Sequence, residues 1–204
     1  MKLVVDKLSA ERGDRAVFAD LSLVVEAGTL MQVSGANGAG KTTLLRILAG
    51  LGAASEGSAV WHLADDPVSP AAAACFVGHA NAFNDALTVR ENLTYAAALA
   101  GLDSSSPDIV TALDAFGVKS MINRRFGTLS QGQRKRCSLA RLLLDSKGLR
   151  RAWLLDEPFV ALDVDTQAQL ASVISTELAA GGLVIYTSHQ AVEINAANSQ
   201  EIAL

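Results

Sequence analysis

The sequence predicts an α/β fold built on a mainly parallel core sheet. Three observations carry the prediction. Short apolar runs recur at Leu30–Ser34, Ala152–Leu155 and Leu183–Thr187, long enough for buried strands and too short for helices. Segments of helical period separate them, the alternation that parallel strands and their crossover helices produce. Each run also ends on residues fit for chemistry: a glycine-rich loop after the first, Asp156-Glu157-Pro158 after the second, Ser188-His189 after the third. Sheets of this kind place their ligand crevice at the C-terminal ends of the strands.

From the N-terminus, Lys2–Val5, Ala16–Phe18 and Leu21–Val25 read as strands that precede the Leu30–Ser34 strand. A helix starts at Lys41 and stops at Gly50 or Gly52. Ser58–Leu63 and Cys75–His79 are further strand candidates. The period changes at Thr88, where Thr88-Val89-Arg90-Glu91 is a capping box and the helix behind it reaches about Gly101. Asp103–Ser106 reads as a turn, Pro107 suits a first helical position and Gly117 a C-terminal stop. Residues 85–128 thus form a helical insert. Ser130-Gln131-Gly132-Gln133 is a second capping box and opens a helix through about Asp145, extending the helical subdomain to 85–145 within one domain of 1–204. The last helix runs from Val164 to Gly181-Gly182.

At 204 residues the chain suffices for one domain with a sizeable core. A net charge of −4 and an isoelectric point near 5.3 argue against a nucleic-acid-binding stripe. Cys75 and Cys137 lack metal-type spacing and read as small buried hydrophobes in a reducing compartment. The N-terminus enters charged, alternating sequence at once, unlike a signal peptide. No apolar stretch approaches the ~18 residues that span a bilayer. Mean hydropathy is +0.28, which buried contacts with partners and an alanine-rich composition explain equally well.

The loop Gly35-Ala36-Asn37-Gly38-Ala39-Gly40-Lys41-Thr42 lies between a strand and a helix start, the setting that makes such a pattern a P-loop. Its backbone N–H groups form an anion nest, and the helix N-terminus adds partial positive charge. Lys41 reaches the β- and γ-phosphates of a nucleotide, Thr42 ligates Mg²⁺, and Thr43 donates to the α-phosphate. Asp156, at a strand end, can hold the water shell of Mg²⁺. Glu157 can orient and deprotonate an attacking water, and His189 can touch the γ-phosphate. Leu129-Ser130-Gln131-Gly132-Gln133 offers a second anion site, where Ser130 caps a helix and Gly132 allows close approach. The helical insert carries Ser130 away from the first loop, so this second site fits two chains paired head to tail. Taken alone, Ser130 reads as a plain helix cap.

Together these residues closely resemble the ATP-binding subunits of ABC transporters. Gly35–Thr42 resembles the P-loop, Leu129–Gln133 the signature loop and Trp153–Glu157 the strand with the Mg²⁺ ligand and the base. Ala161-Leu162-Asp163 resembles the loop that crosses the dimer interface, and His189 the switch histidine. The motifs keep the family's order and span essentially the whole chain. The resemblance implies an antiparallel N-terminal β subdomain beside the P-loop core and the small helical subdomain. It implies a homodimer around two ATP molecules with Mg²⁺, in which Ser130, Gly132, Gln133 and Asp163 meet the nucleotide of the partner. It further implies integral membrane subunits driven by dimer closure, a peripheral place on the cytoplasmic face of the inner membrane, and no nucleic-acid partner.

Two positions depart from the family. Its members usually carry a Gln near Mg²⁺ after the P-loop half. No Gln stands between Gln32 and Gln131 here, and Gly78-His79 takes that place, so His79 is expected to sense the γ-phosphate. Members also usually stack an aromatic residue on adenine. Arg12 stands there, and a guanidinium plane can stack on the base. Within the family, Gly78-His79, Leu155-Asp156-Glu157-Pro158-Phe159 and Thr187-Ser188-His189-Gln190 most resemble the ATP-binding subunits of the bacterial cytochrome c maturation system, the haem exporters. That likeness implies ATP hydrolysis coupled to release of a haem-loaded chaperone. An exporter of another small molecule would share every catalytic motif. A nucleic-acid-associated or ribosome-acting relative is disfavoured by the short insert, the acidic charge and the single ATPase half. A kinase or a simple P-loop switch has no use for a second γ-phosphate site.

Overall fold

The computed structural model describes residues 1–13, 15–102, 106–145, 152–189 and 192–204. The strands β1 (Lys2–Arg12) and β2 (Arg15–Glu26) form a long antiparallel hairpin. Strands β4 (Glu56–Leu63) and β5 (Asp66–Val68) extend it in the order β2-β1-β4-β5. The sequence reads two strands where β2 is one, because the break at Asp20 is absorbed as a bulge. Asp20 sits at φ +53°, its N–H donates to Ser9 Oγ at 3.1 Å, and the register slips on either side of Leu8.

The second sheet holds β3 (Thr29–Ser34), β6 (Ala74–Val77), β7 (Ala152–Leu155), β8 (Val184–Thr187) and β9 (Asn198–Ala203). Their order is β6-β7-β8-β3-β9, and every pairing is parallel. The C-terminal ends of β3, β6, β7 and β8 therefore open on one edge. The strand expected over Cys75–His79 stops at Val77, which frees Gly78 and His79 for a loop on that edge. The edge strand β9 carries few apolar side chains and left no apolar run to read. It is held by its ladder to β3 and by Ser34 Oγ donating to the Ile202 carbonyl oxygen at 3.1 Å.

Parallel strands need cover on both faces. β7 turns Trp153 and Leu155 into one core and Ala152 and Leu154 into the other. The first core lies against the helical subdomain of α3 (Val89–Leu99), α4 (Ser106–Ala115) and α5 (Gln131–Asp145), with Leu93, Leu113 and Leu139 fully buried. The second joins α1 (Lys41–Leu48) to the antiparallel sheet through Leu44, Leu45, Leu3 and Trp61. Each fully buried leucine contributes about 2 kcal/mol. Trp61 Nε1 donates to the Leu48 carbonyl oxygen at 2.8 Å, which fastens the antiparallel sheet to the end of α1.

Helix ends follow the capping residues. Thr88 Oγ1 accepts from the Glu91 N–H at 3.2 Å and Glu91 Oε2 accepts from the Thr88 N–H at 2.7 Å, a complete capping box for α3. α4 begins at Ser106, so Pro107 takes the second helical position. Short α2 (Pro70–Ala73) precedes β6, and α6 (Val164–Ala179) joins β7 to β8. Asp103–Ser105 of the expected turn and Gln190 of the final motif lie outside the described residues.

Candidate nucleotide site

The glycine-rich loop leaves the end of β3 and enters α1 with no side chain capping the helix. Its N-terminal N–H groups are open to an anion. Gly40 holds φ +106°, and a Cβ there would lie 2.3 Å from Val17 Cγ1. The loop thus needs glycine because β2 packs directly on it, a contact with no signal in the loop sequence itself. Buried Lys41 donates to the carbonyl oxygens of Gly35 and Ala36 at 2.7 and 3.0 Å. The ammonium closes the loop from inside.

Across the crevice, β7 delivers buried Asp156. Its Oδ2 accepts from Thr42 Oγ1 at 2.9 Å and its Oδ1 from Thr187 Oγ1 at 3.0 Å. Thr187 Oγ1 in turn accepts from the Glu157 N–H at 2.8 Å. This anchor at the end of β8 was not singled out from sequence; its only signal is a hydroxyl closing an apolar run. Thr42 and Asp156 place two hard oxygens about 3 Å apart, the edge of an octahedron with ligands at ~2.1 Å, so the pair fits Mg²⁺.

Glu157 takes φ +48°, a backbone that side chains rarely adopt. That turn swings its carboxylate off the strand and between two histidines. His79 Nδ1 lies 3.7 Å from Oε2 and His189 Nε2 lies 3.5 Å from Oε1. Both gaps exceed a direct hydrogen bond, and the carboxylate keeps a quarter of its surface open. The structure thus brings together Lys41, Thr42, Asp156, Glu157, His79 and His189 on the edge where four strands end.

The other predicted residues stand apart from this cluster. Ser130 and Gln133 cap the start of α5: Ser130 Oγ accepts from the Gln133 N–H at 3.3 Å, and Gln133 Oε1 from the Ser130 N–H at 3.1 Å. No described hydrogen bond joins this loop to Gly35–Thr43. Asp163 caps α6 by accepting from the Thr166 N–H at 2.8 Å, and hydrogen bonds from Thr166 hold its carboxyl below the usual range. Arg12 is exposed at the end of the β1–β2 hairpin, opposite Arg15, with no described contact to the loop. Cys137 is buried, and burial pushes its thiol up to about 12. Cys75 departs from the expected full burial. It is partly exposed in an apolar cleft of 310 Å³ that Phe76, Phe83, Tyr95, Leu99 and Leu102 also line.

Comparison with known proteins agrees with this geometry. The family model for ABC transporters matches residues 18–160. The chain belongs to the ABC transporter family. It binds ATP, and as a member it is an ATP-hydrolysing subunit of such a transporter. A relative from Albidiferax ferrireducens, "Cytochrome c biogenesis ATP-binding export protein CcmA", is 40% identical over 99% of this chain and 96% of its own. A protein of the same name from Aromatoleum aromaticum is 46% identical over 90% of this chain and 86% of its own. Among solved structures, an ABC transporter ATP-binding protein from Pyrococcus furiosus superposes with a TM-score of 0.81 at 25% identity, covering 98% of this chain and 97% of its own. A dimeric ATP-binding cassette solved in a post-hydrolysis state with ADP and Pi has a TM-score of 0.79 at 19% identity, covering 92% and 88%, and shares the fold.

Proposed function

We propose that this chain pairs with a second copy of itself around two ATP molecules and hydrolyses each on Glu157. The observation that carries the reading is the placement of Glu157 between His79 and His189, next to the Asp156 that holds Thr42. ATP occupies the uncapped N-terminus of α1. Lys41 then exchanges its two carbonyl acceptors for the β- and γ-phosphates, and Thr43 meets the α-phosphate. Thr42 and Asp156 would hold Mg²⁺, which would neutralise charge on the phosphates. Glu157 takes the proton of the attacking water, while His189 and His79 orient that water and touch the γ-phosphate. Arg12 stacks on adenine from the hairpin that packs on the loop. The nest of Ser130, Gly132 and Gln133, with Asp163, meets the γ-phosphate side of the ATP held by the partner copy.

The loop from Gly78 to Phe83 carries His79 on one side and lines the apolar cleft with Ala82 and Phe83 on the other. An integral membrane subunit docks in that cleft, where Tyr95 and Leu99 are largely exposed, and is moved by nucleotide-driven closure. No described helix is long and apolar enough to cross a membrane. The chain sits on the cytoplasmic face of the inner membrane through contacts with such subunits. The names of the relatives support haem export in cytochrome c maturation as the coupled process. Light scattering on Glu157→Gln tests the core of the reading. ATP should convert it to a stable dimer without turnover; a monomer that hydrolyses ATP normally would overturn it. A strain lacking this chain should lose c-type cytochromes, restored by the wild type and not by Lys41→Ala. Normal cytochromes in that strain would remove the haem assignment.

A further inference from the structure

One face of α5 looks onto the hydrolytic cluster of its own chain. It presents Gln131, Lys135, Ser138 and Arg141, spaced by four, three and three residues. Ser138 Oγ donates to Asn81 Oδ1 at 3.1 Å, and Arg141 donates to the Phe76 carbonyl oxygen at 2.7 Å. The face is therefore fastened to the segment that carries His79. Lys135 is the exception. It is 5% exposed, yet no described residue offers its Nζ a hydrogen bond or an ion pair. It lines a cavity of 40 Å³ with His79, Asn81, Gln131, Val160 and Ala161.

The turn behind Glu157 forms the opposite wall of that cavity. Gly132 lies against it, where a Cβ would meet the Ala161 carbonyl oxygen at an ordinary contact distance of 3.4 Å, and Ala161 itself holds φ +65°. The charges that act on the Lys135 ammonium are Arg141, Asp156 and Glu157. This ammonium borders the cavity and no described residue fixes it, so Lys135 is placed to take a partner in another state. Its place between the first turn of α5 and the Glu157 turn suits a different state, one in which α5 is engaged from outside.

We propose that Lys135 is a positioning residue that carries the state of the signature loop to Glu157. When the partner's nucleotide engages Ser130 and Gln133, α5 sets the Lys135 ammonium against the Glu157–His79 pair and fixes the carboxylate toward its water. Each chain reads its partner's ATP at the start of α5 and adjusts hydrolysis of its own ATP one helical turn further on. This rests on the reading of Ser130 as half of a shared site.

The test uses the full chain with Lys135→Met and Lys135→Arg. Turnover at varied ATP is measured, and ATP-driven dimerisation is followed in the Glu157→Gln background. Lys135→Met should lower kcat about tenfold, the worth of one charge-assisted contact, with KM within about twofold. Its Hill coefficient should fall to about one, and its ATP-driven dimerisation should persist. Lys135→Arg should recover most of kcat, since it restores the charge. A near-native kcat in Lys135→Met overturns the proposal, as does a loss of kcat matched by loss of the dimer. If Glu157→Gln with Lys135 intact stays monomeric in ATP, the shared-site reading fails and this proposal with it. Dimerisation together with full turnover in Lys135→Met removes this proposal alone.

Discussion

The two loops proposed to bind phosphate, Gly35–Thr42 and Leu129–Gln133, both open a helix but are built differently. The first enters α1 with no side-chain cap, and its N–H groups await a ligand. Around it the same chain gathers Lys41 from the loop, Asp156 from β7, Glu157 from the following turn and His189 from the end of β8. The second is closed on itself by the Ser130–Gln133 capping box and meets none of these groups. A site whose donors all come from one chain binds on its own. A loop that satisfies its own donors must exchange them for an incoming phosphate, and it gains from doing so only when a partner delivers one. On the proposed reading, the difference between the loops separates binding from assembly.

Variants that act on one loop should leave the other function standing. The largest effect belongs to Glu157→Gln, which should lower turnover about 10²–10⁴-fold while ATP affinity, measured by titration calorimetry, stays near wild type. Lys41→Ala should weaken ATP binding about a hundredfold, because a charge-assisted phosphate contact is lost in a water-poor loop. Ser130→Ala should reduce turnover about tenfold and lower stability by about 1 kcal/mol through loss of the cap, with monomer affinity for ATP unchanged. A fall in monomer affinity would blur the contrast between the loops. His79→Ala should cost about fivefold in turnover, one hydrogen bond's worth, and His79→Gln should recover part of it.

The smallest effect is a pH signature in stability. Burial, and next the Arg141 charge, lower Lys135 from 10.5 to about 8, against the opposing pull of Asp156 and Glu157. Between these values the unfolded chain holds a proton that the folded chain has lost, so stability should rise with pH across the window from about 8 to 10.5. Below it both states are protonated and the buried charge destabilises the fold in full. Denaturant titrations should show that rise in the wild type and a flatter profile in Lys135→Met.

What was legible in the sequence was the local chemistry. Gly35–Thr42, Asp156-Glu157 and Ser188-His189 each follow an apolar strand, so both the strand and the group at its end could be read. Thr88 and Ser130 announced their helices through capping boxes that the structure reproduces. Contacts set by topology were less visible. The pressure of Val17 on Gly40, the anchoring of Asp156 by Thr187 and the burial of Lys135 all arise between elements far apart in the chain. Edge strand β9 went unread because an exposed edge needs no apolar run. His79 stands between these cases: its position was read from the motif order, and its approach to Glu157 required the end of β6 to fall at Val77.

The central claim is that the two loops complete each other only across a dimer. It is tested most directly by mixing two impaired chains, Glu157→Gln and Ser130→Ala, and measuring ATPase activity against each alone. In a mixed dimer one site collects both defects and the other none. Random pairing should therefore restore about a quarter of wild-type turnover. An activity no greater than the average of the two separate variants would mean that Ser130 and Glu157 serve the same ATP within one chain, and would contradict the account.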